Sequence, residues 1–322
     1  MNIYHPENYH GKNKKNFFEG WYFKNSDSQQ KYVFAVIPGV SIGDDSHSFI
    51  QIIDNDGFSK YYRFDFDDFK SSNNPFSVSI RNNYFSLKKI VLNLEDISAE
   101  LFFENIKPWP VTLFKPGAMG PYGFLNFLEC YHGILSFNHT VKGTVVVRGK
   151  EKDFKKGKGY IEKDWGRSFP KSWIWSASND FENSDASFTV SIANVPFGRS
   201  YFVGFILGLY LNGKIYQFTT YNGAKIHELY IENNKISFKA SRKKYHLEVE
   251  IIKGKGNILL APKNGNMVGR INESLDSEIR IIFRKGNEIV FSGKGINAGL
   301  EVNGDILKDI KNDKKGKVFL KE

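Results

Sequence analysis

The chain has 322 residues, enough for one large or two ordinary domains, and its composition, 41% hydrophobic and 25% charged, is that of a globular protein. The aromatic share of 16% is high, which is typical of wide β-interiors or of an apolar ligand cavity. The single cysteine, Cys130, excludes an internal disulfide and a zinc site built on cysteines.

The net charge of +10 raises nucleic acid and anionic membrane surfaces as partners. The lysines are dispersed, and the densest runs read as solvated tails, so we expect no nucleic-acid partner and retain only peripheral contact with an anionic membrane surface. The first thirty residues lack a secretion signal, and the longest apolar stretch, from Ser200, is interrupted by Gly204 and Gly208. We therefore expect a soluble, cytoplasmic protein. Its oligomeric state is left open.

Short segments rich in Val, Ile, Phe, Tyr and Thr follow one another along the chain, separated by Asn, Asp and Gly. This pattern predicts an all-β protein. So many strands would not remain in open sheets, so we expect barrels or sandwiches. Asn212-Gly213 and Asn222-Gly223 predict two-residue hairpin turns, since both central positions of such turns need positive φ.

Two stretches depart from the strand pattern. "GFLNFLECYHG", from Gly123 to Gly133, is the best candidate for a short helix. "KPWPVTLFKPGAMGPYG" before it has too many prolines and glycines for regular structure, and long ordered loops are often functional.

Chain length and usual domain size predict two β domains, residues 1–180 and 181–322. A Trp-bearing strand opens each half, with Trp21 in the first, and Trp173 and Trp175 at the approach to the second. A weak two-fold repetition is consistent with this placement.

The stretch "GYIEKDWGRSFPKSWIWSAS", from Gly159 to Ser178, combines carboxylates with tryptophans. In a strand, Tyr160, Glu162 and Asp164 share one face and Trp165 lies on the other. The two carboxylates are then about 6.6 Å apart. On a partly apolar face, desolvation and mutual repulsion raise at least one carboxyl pKa, which yields a proton donor near neutral pH.

Indole rings around an acid suit a cationic intermediate, because a cation over an aromatic face is stabilised. Trp173 and Trp175 share a face, as do Glu19 and Trp21. The alternative is structural: Glu162 and Asp164 form ion pairs with basic neighbours at a barrel mouth, and the tryptophans close the barrel end. Residue types alone favour this second interpretation.

"ECYHG" places Glu129, Tyr131 and His132 in an apolar setting. His132 has the chemistry of a general acid or base, and a hydrogen-bonded core histidine is an equally good interpretation. The seven histidines include no pair at metal-ligand helical spacing, and no nucleotide-binding glycine pattern is present. We therefore expect no dedicated zinc or iron site and no nucleotide cofactor.

Three blocks carry a family resemblance: "FFEGWYFK" (Phe17 to Lys24), "GYIEKDWGRSFPKSWIW" (Gly159 to Trp175) and "AGLEVNG" (Ala298 to Gly304). In order and spacing they resemble the signature blocks of the tocopherol cyclase family. The resemblance implies two lipocalin-like antiparallel barrels, distantly similar to carotenoid hydratase-type proteins. It also implies an isomerase (intramolecular lyase) that closes a prenylated quinol to a chromanol without a cofactor.

On that resemblance, an acid protonates an alkene, a tertiary carbocation forms, and the phenolic oxygen captures it. We expect Asp164 or Glu162 to donate the proton, and Glu19 or His132 to accept the phenolic proton. Further candidate substrate contacts are Trp21, Tyr22, Trp165, Trp173, Trp175, Glu129 and Tyr131.

Two other functions fit the same residues. A non-catalytic lipocalin-like carrier of a hydrophobic or isoprenoid ligand needs the apolar barrel but no acid. A hydratase of an isoprenoid double bond shares the protonation step and admits water. An acid beside an ordered water would favour the hydratase, and a sealed cavity without an acid would favour the carrier.

Overall fold

The computed structural model describes residues 3–321 and is built almost entirely of β-strands. In that part of the chain the one α-helix, α1, is Ile306–Asn312. Short 3-10 turns cover Phe66–Asp68, Gly120–Phe124 and Thr220–Asn222. The all-β prediction is confirmed.

The strands of residues 3–321 form two sheets of twelve. Those of the first sheet are β1 Phe17–Ser26, β2 Val33–Ile42, β3 His47–Asp54, β4 Ser59–Phe64, β5 Phe69–Asn73, β6 Phe76–Ile80, β7 Asn83–Ser86, β8 Lys89–Asn93, β9 Ile97–Glu104, β10 Cys130–Val147, β11 Lys150–Asp153 and β12 Gly157–Gly166. Those of the second are β13 Trp173–Ser178, β14 Asp180–Phe181, β15 Ala186–Phe197, β16 Ser200–Leu211, β17 Lys214–Thr219, β18 Lys225–Glu232, β19 Lys235–Arg242, β20 Tyr245–Ile252, β21 Gly256–Lys263, β22 Asn266–Lys285, β23 Glu288–Asn303 and β24 Val318–Leu320.

Neighbours in the first sheet run β4-β3-β2-β1-β12-β10-β9-β8-β7-β6-β5, with β11 beside β10. The second runs β17-β16-β15-β13-β23-β22-β20-β19-β18-β24, with β14 beside β23 and β21 beside β22. Along these two orders every pair is antiparallel except β18 with β24, which is parallel. In the first sheet β12 therefore lies between β1 and β10, which brings three non-consecutive parts of the chain together.

Alternation along the strands builds a separate core for each sheet. In β9 every second residue is buried, since successive side chains of a strand point to opposite faces. The first core contains Trp21, Phe23 and Ile161, and the second contains Ile174 and Leu300. Burial of these apolar side chains stabilises both sheets.

The chain packs as two compact units, and neither is continuous in sequence. The first comprises Met1–Phe169 and Asn257–Arg270, and the second comprises Pro170–Gly256 and Ile271–Glu322. The second stretch of the first unit is held by the Gln51 side chain, whose amide oxygen accepts from Leu260 N at 2.7 Å and whose amide nitrogen donates to Leu260 O at 3.3 Å. The division expected from the sequence, residues 1–180 and 181–322, assigns one continuous stretch to each domain.

One predicted turn is confirmed and another is wrong. Asn212 and Gly213 have φ of +47° and +82° and connect the paired strands β16 and β17. Asn222-Gly223 does not form a hairpin, because β17 and β18 are not neighbours in the sheet. Instead the Asn222 side chain accepts from Thr219 N at 3.1 Å and closes a 3-10 turn.

The predicted helix from Gly123 to Gly133 is also wrong. Its start lies in a 3-10 turn, and from Cys130 onward the chain belongs to β10. Pairing of β10 with β12 satisfies the backbone of this segment, so the apolar spacing that suggested a helix serves a strand. Among residues 3–321 no helix is long and apolar enough to cross a bilayer.

Candidate functional site

His132 and Asp164 are directly opposite each other on β10 and β12. Their side chains therefore share a face, and His132 Nδ1 lies 2.9 Å from Asp164 Oδ1. Glu162, two residues away on the same face, has its Oε2 3.9 Å from His132 Nε2. Tyr160 donates its hydroxyl to Glu162 Oε2 at 2.6 Å. We refer to these four residues as the His132 cluster.

The two carboxylates of the cluster differ in their access to solvent. The side chain of Glu162 is 5% exposed and that of Asp164 is 25% exposed. The hydrogen bond between His132 and Asp164 joins an imidazole to a carboxyl group, as in acid–base catalytic pairs. The partly exposed Asp164 is the carboxyl that a substrate reaches more readily.

Three side chains of the His132 cluster are also of the types that bind metal ions. Ligand atoms of His132, Glu162 and Asp164 lie within 4.8 Å of one another. Imidazole and carboxylate groups suit divalent cations. The expectation of no metal and no cofactor stays a prediction.

Gly166 fixes where β12 ends against β10. Its φ is +148°, and a Cβ there would lie 2.2 Å from Glu129 O. Arg167 N then donates to the same oxygen at 2.8 Å. Glu129, a predicted substrate contact, thus lies just before β10. Burial raises the pKa of its carboxyl, and a hydrogen bond from Ser168 and the charge of Arg167 oppose this rise.

The opposite face of β12 carries a buried lysine between two indoles. Lys163 Nζ lies 4.7 Å from the ring centroid of Trp21 and 4.8 Å from that of Trp165. Burial lowers the pKa of Lys163 to about 8, and the ion pair with Glu19 opposes this shift. The cation that these two tryptophans face is therefore a side chain of the protein itself.

Glu19 and Lys163 hold the N-terminal segment, residues 6–10, in place. The Glu19 carboxylate accepts from His10 N at 2.9 and 3.0 Å. Lys163 Nζ donates to Pro6 O at 2.9 Å and also to Asn8 O. The Glu19 carboxylate is thus bound by His10 and Lys163 and has a structural role. Sequence reasoning considered Lys163 only as a possible ion-pair partner of Glu162 and Asp164, whereas its partner is Glu19, and it did not single out His10.

His10 and Tyr131 both stack on Trp165. The His10 and Trp165 ring centroids are 4.7 Å apart at 13°, and those of Tyr131 and Trp165 are 5.5 Å apart at 10°. The indole of Trp165 thus already contacts His10, Tyr131 and the Lys163 ammonium. In this conformation its ring faces are occupied by groups of the protein.

A small pocket lies beside this stack. Its lining residues are Ile3, Pro6, His10, Pro116, Ala118, Met119, Gly123, Tyr131, His132 and Trp165. It leaves about 10 Å³ for the centre of a water molecule, which is room for about one water. A prenyl chain enters only if the loop from Pro116 to Gly123 or the N-terminal segment moves. His132 is the member of the His132 cluster that lines the pocket.

The remaining candidates are divided between the units. Tyr22 is opposite Glu162 on β1 and is buried on the face of the His132 cluster. Trp173 and Trp175 belong to the second unit, where Trp173 Nε1 donates to Glu301 Oε2 at 2.7 Å. The structure thus brings Tyr22, His132 and the two β12 carboxylates together on one face of the first sheet, and places Glu19, Trp21 and Trp165 on the other face.

The sequence matches a family model described as tocopherol cyclase-like over residues 97–304. The probable chloroplastic tocopherol cyclase of Oryza sativa subsp. japonica is 24% identical over 140 residues, which cover 42% of this chain and 30% of the rice protein. The matched stretch is thus under a third of that relative's length.

Solved structures show the same fold at low identity. CghA, solved with Sch210972, is 11% identical with a TM-score of 0.59, over 89% of this chain and 88% of CghA. Kievitone hydratase from Nectria haematococca is 12% identical with a TM-score of 0.50, over 89% of both chains. The fold is two lipocalin-like barrels, as predicted.

Proposed function

Because the chain belongs to the tocopherol cyclase-like family, we propose that it closes a prenylated quinol to a chromanol by acid catalysis. The observation that carries this proposal is the hydrogen bond between His132 and Asp164, next to a pocket that His132 lines. A carboxylic acid held by a hydrogen-bonded imidazole at a pocket has the geometry that alkene protonation needs.

Asp164 is the proton donor in this mechanism. Its carboxyl proton passes to the alkene carbon, and the tertiary carbocation that forms is captured by the phenolic oxygen. The π bond and the phenolic O–H bond are broken, and one C–H bond and one C–O bond are formed. The phenolic proton returns to the Asp164 carboxylate, and the reaction is a net isomerisation. His132, hydrogen-bonded at 2.9 Å, stabilises the carboxylate between the two proton transfers.

In this mechanism Glu162 does not donate the proton; it acts on the His132–Asp164 pair. Its carboxylate is almost fully buried and accepts the Tyr160 hydroxyl. It lies 3.9 Å from His132 Nε2, so it favours positive charge on the imidazole during the interval in which Asp164 is a carboxylate. Glu19 takes no part in the proposed mechanism, because its carboxylate is ion-paired with Lys163 on the opposite face of the sheet.

Hydration of an isoprenoid double bond is the second candidate. The pocket has room for about one water beside His132. A water there would capture the same carbocation, so the two reactions share Asp164 and differ in the nucleophile. A dry site is required for cyclisation.

The test is incubation with a panel of prenylated quinols, followed by chromatography and mass spectrometry. Cyclisation leaves the mass unchanged, and hydration adds one water. We expect Asp164→Asn to lower turnover by about 100-fold or more, and Glu162→Gln to lower it less, while the exposed control Asp67→Asn keeps full turnover. If both cluster variants fold and retain full turnover, the assignment is wrong. Binding without any product would instead indicate a carrier.

A further inference from the structure

A tight hairpin at Thr112–Lys115 presents two apolar side chains to solvent. Thr112 N donates to Lys115 O at 2.9 Å, and Lys115 N donates to Thr112 O at 3.0 Å. Leu113 and Phe114 between them are 68% and 76% exposed, and no large hydrophobic residue elsewhere in residues 3–321 exceeds these values. A hairpin closed by two backbone hydrogen bonds holds both side chains outward at a fixed place.

Two exposed aromatic residues adjoin this hairpin. The Tyr4 hydroxyl donates to Leu113 O at 3.2 Å, and the Tyr4 and Phe124 ring centroids are 6.4 Å apart. Tyr4 and Phe124 are themselves exposed. We call Tyr4, Leu113, Phe114 and Phe124 the apolar tip. Contiguous exposed apolar groups of this kind mark an interaction surface.

The loop that carries three of the four residues of the apolar tip has only positive charges. Between Ile106 and Leu128 the only charged residues are Lys107 and Lys115, and Lys115 follows Phe114 directly. The whole chain carries a net charge of +10. Apolar side chains flanked by lysines, with no carboxylate among them, are complementary to a bilayer surface with anionic headgroups.

We propose that the apolar tip docks this protein on an anionic phospholipid bilayer. Leu113 and Phe114 enter the boundary between headgroups and acyl chains, and Lys115 pairs with headgroup phosphates. Tyr4 lies at the headgroup level, where an aromatic ring with a polar edge is favoured, and Phe124 packs against its ring.

Docking would place the pocket at the membrane surface. Pro116, Ala118 and Met119, which line the pocket, follow the hairpin directly in the chain. A prenyl chain leaving the bilayer would therefore reach the pocket without crossing water. This role in substrate entry rests on the proposed function, whereas the docking itself rests only on the exposure and charge of the apolar tip.

The test is co-sedimentation with vesicles of phosphatidylcholine alone and of phosphatidylcholine with phosphatidylglycerol. We expect the wild type to bind the anionic vesicles, and the double variant Leu113→Ser/Phe114→Ser to bind at least about tenfold more weakly. Lys115→Glu should weaken binding to anionic vesicles only. The matched control is Ile258→Ser/Val268→Ser, which removes side chains of 58% and 67% exposure outside the loop and should bind like the wild type.

Three results would overturn the proposal. The wild type fails to bind anionic vesicles, the control variant loses as much binding as the tip variant, or the wild type is an oligomer in solution that only the tip variant dissociates. The last result would assign the apolar tip to a second copy of the chain. Thermal unfolding of each variant confirms that it is folded.

Turnover of a short-chain, water-soluble prenylquinol separates docking from catalysis. The tip variant should retain this turnover while it loses turnover of a long-chain quinol embedded in vesicles. If no quinol is turned over but the tip variant still loses vesicle binding, the proposed function fails and the docking stands.

Discussion

Lys163 and Glu19 form an ion pair in which neither side chain reaches solvent. A buried charge without its partner is strongly destabilising, so we expect Lys163→Met and Glu19→Gln each to cost about 3–5 kcal/mol of unfolding free energy. The double variant should cost less than the sum, because it leaves no buried charge. Urea unfolding of the four proteins measures the coupling. Strict additivity would show that the two groups do not interact in solution.

The hydroxyl of Tyr160 acts on the His132 cluster through Glu162. Removing a hydrogen bond to a charged group costs about 1.5–3 kcal/mol, so Tyr160→Phe should lower kcat by about tenfold if Glu162 must stay ionised beside His132. KM should change little, since Tyr160 is fully buried and does not line the pocket of the described structure. Steady-state kinetics on the quinol that gives product checks this. An unchanged kcat in a folded variant would remove Tyr160 and Glu162 from the mechanism.

His139 should make the fold sensitive to acid. Burial lowers its pKa to about 3, whereas an unfolded histidine has a pKa of about 6.5. Below pH about 6.5 the unfolded chain binds a proton that the folded chain does not, so this residue lowers stability as the pH falls toward 3, by up to about 1.4 kcal/mol per pH unit.

The measurement for His139 is the unfolding free energy from urea titrations at several pH values between 4 and 7. His139→Gln should make the unfolding free energy less dependent on pH, by the slope that corresponds to about one proton taken up on unfolding. The exposed His246→Gln is the control and should leave the slope unchanged. Equal slopes for the wild type and His139→Gln would mean that His139 titrates normally in the folded protein.

Gly166 should tolerate no side chain. Gly166→Ala would place a Cβ 2.2 Å from Glu129 O in a backbone with positive φ, and we expect a loss of about 2 kcal/mol or more. Gly57→Ala is the matched control, because Gly57 also has positive φ but no atom lies within 4 Å of the added Cβ. That variant should lose only about 1 kcal/mol. Equal losses in thermal unfolding would contradict the close approach at Gly166.

Local patterns in the sequence predicted the fold class and the arrangement of β12. Strand alternation correctly placed Tyr160, Glu162 and Asp164 on one face, since it depends only on consecutive residues. The same reasoning applied to the turn at Asn212, where both positive φ values are local. In both cases the interaction that decides the outcome is close in sequence.

Contacts distant in sequence could not be predicted in this way. His132 meets Asp164 only because β10 and β12 pair in a register that no local pattern of either strand specifies. The ion pair of Lys163 with Glu19 likewise depends on β1 lying beside β12. The helix expected from Gly123 failed for the same reason, because the pairing of β10 overrides the local spacing.

The division of the first unit into two stretches bears on how the protein forms during synthesis. When Phe169 leaves the ribosome, the segment Asn257–Arg270, whose Leu260 pairs with the Gln51 side chain, has not been made. The first unit therefore stays incomplete until residues 170–256, which belong to the other unit, have been translated. A fragment that ends at Phe169 would lack these contacts permanently and would be a poor substitute for the whole chain in any attempt to study the His132 cluster alone.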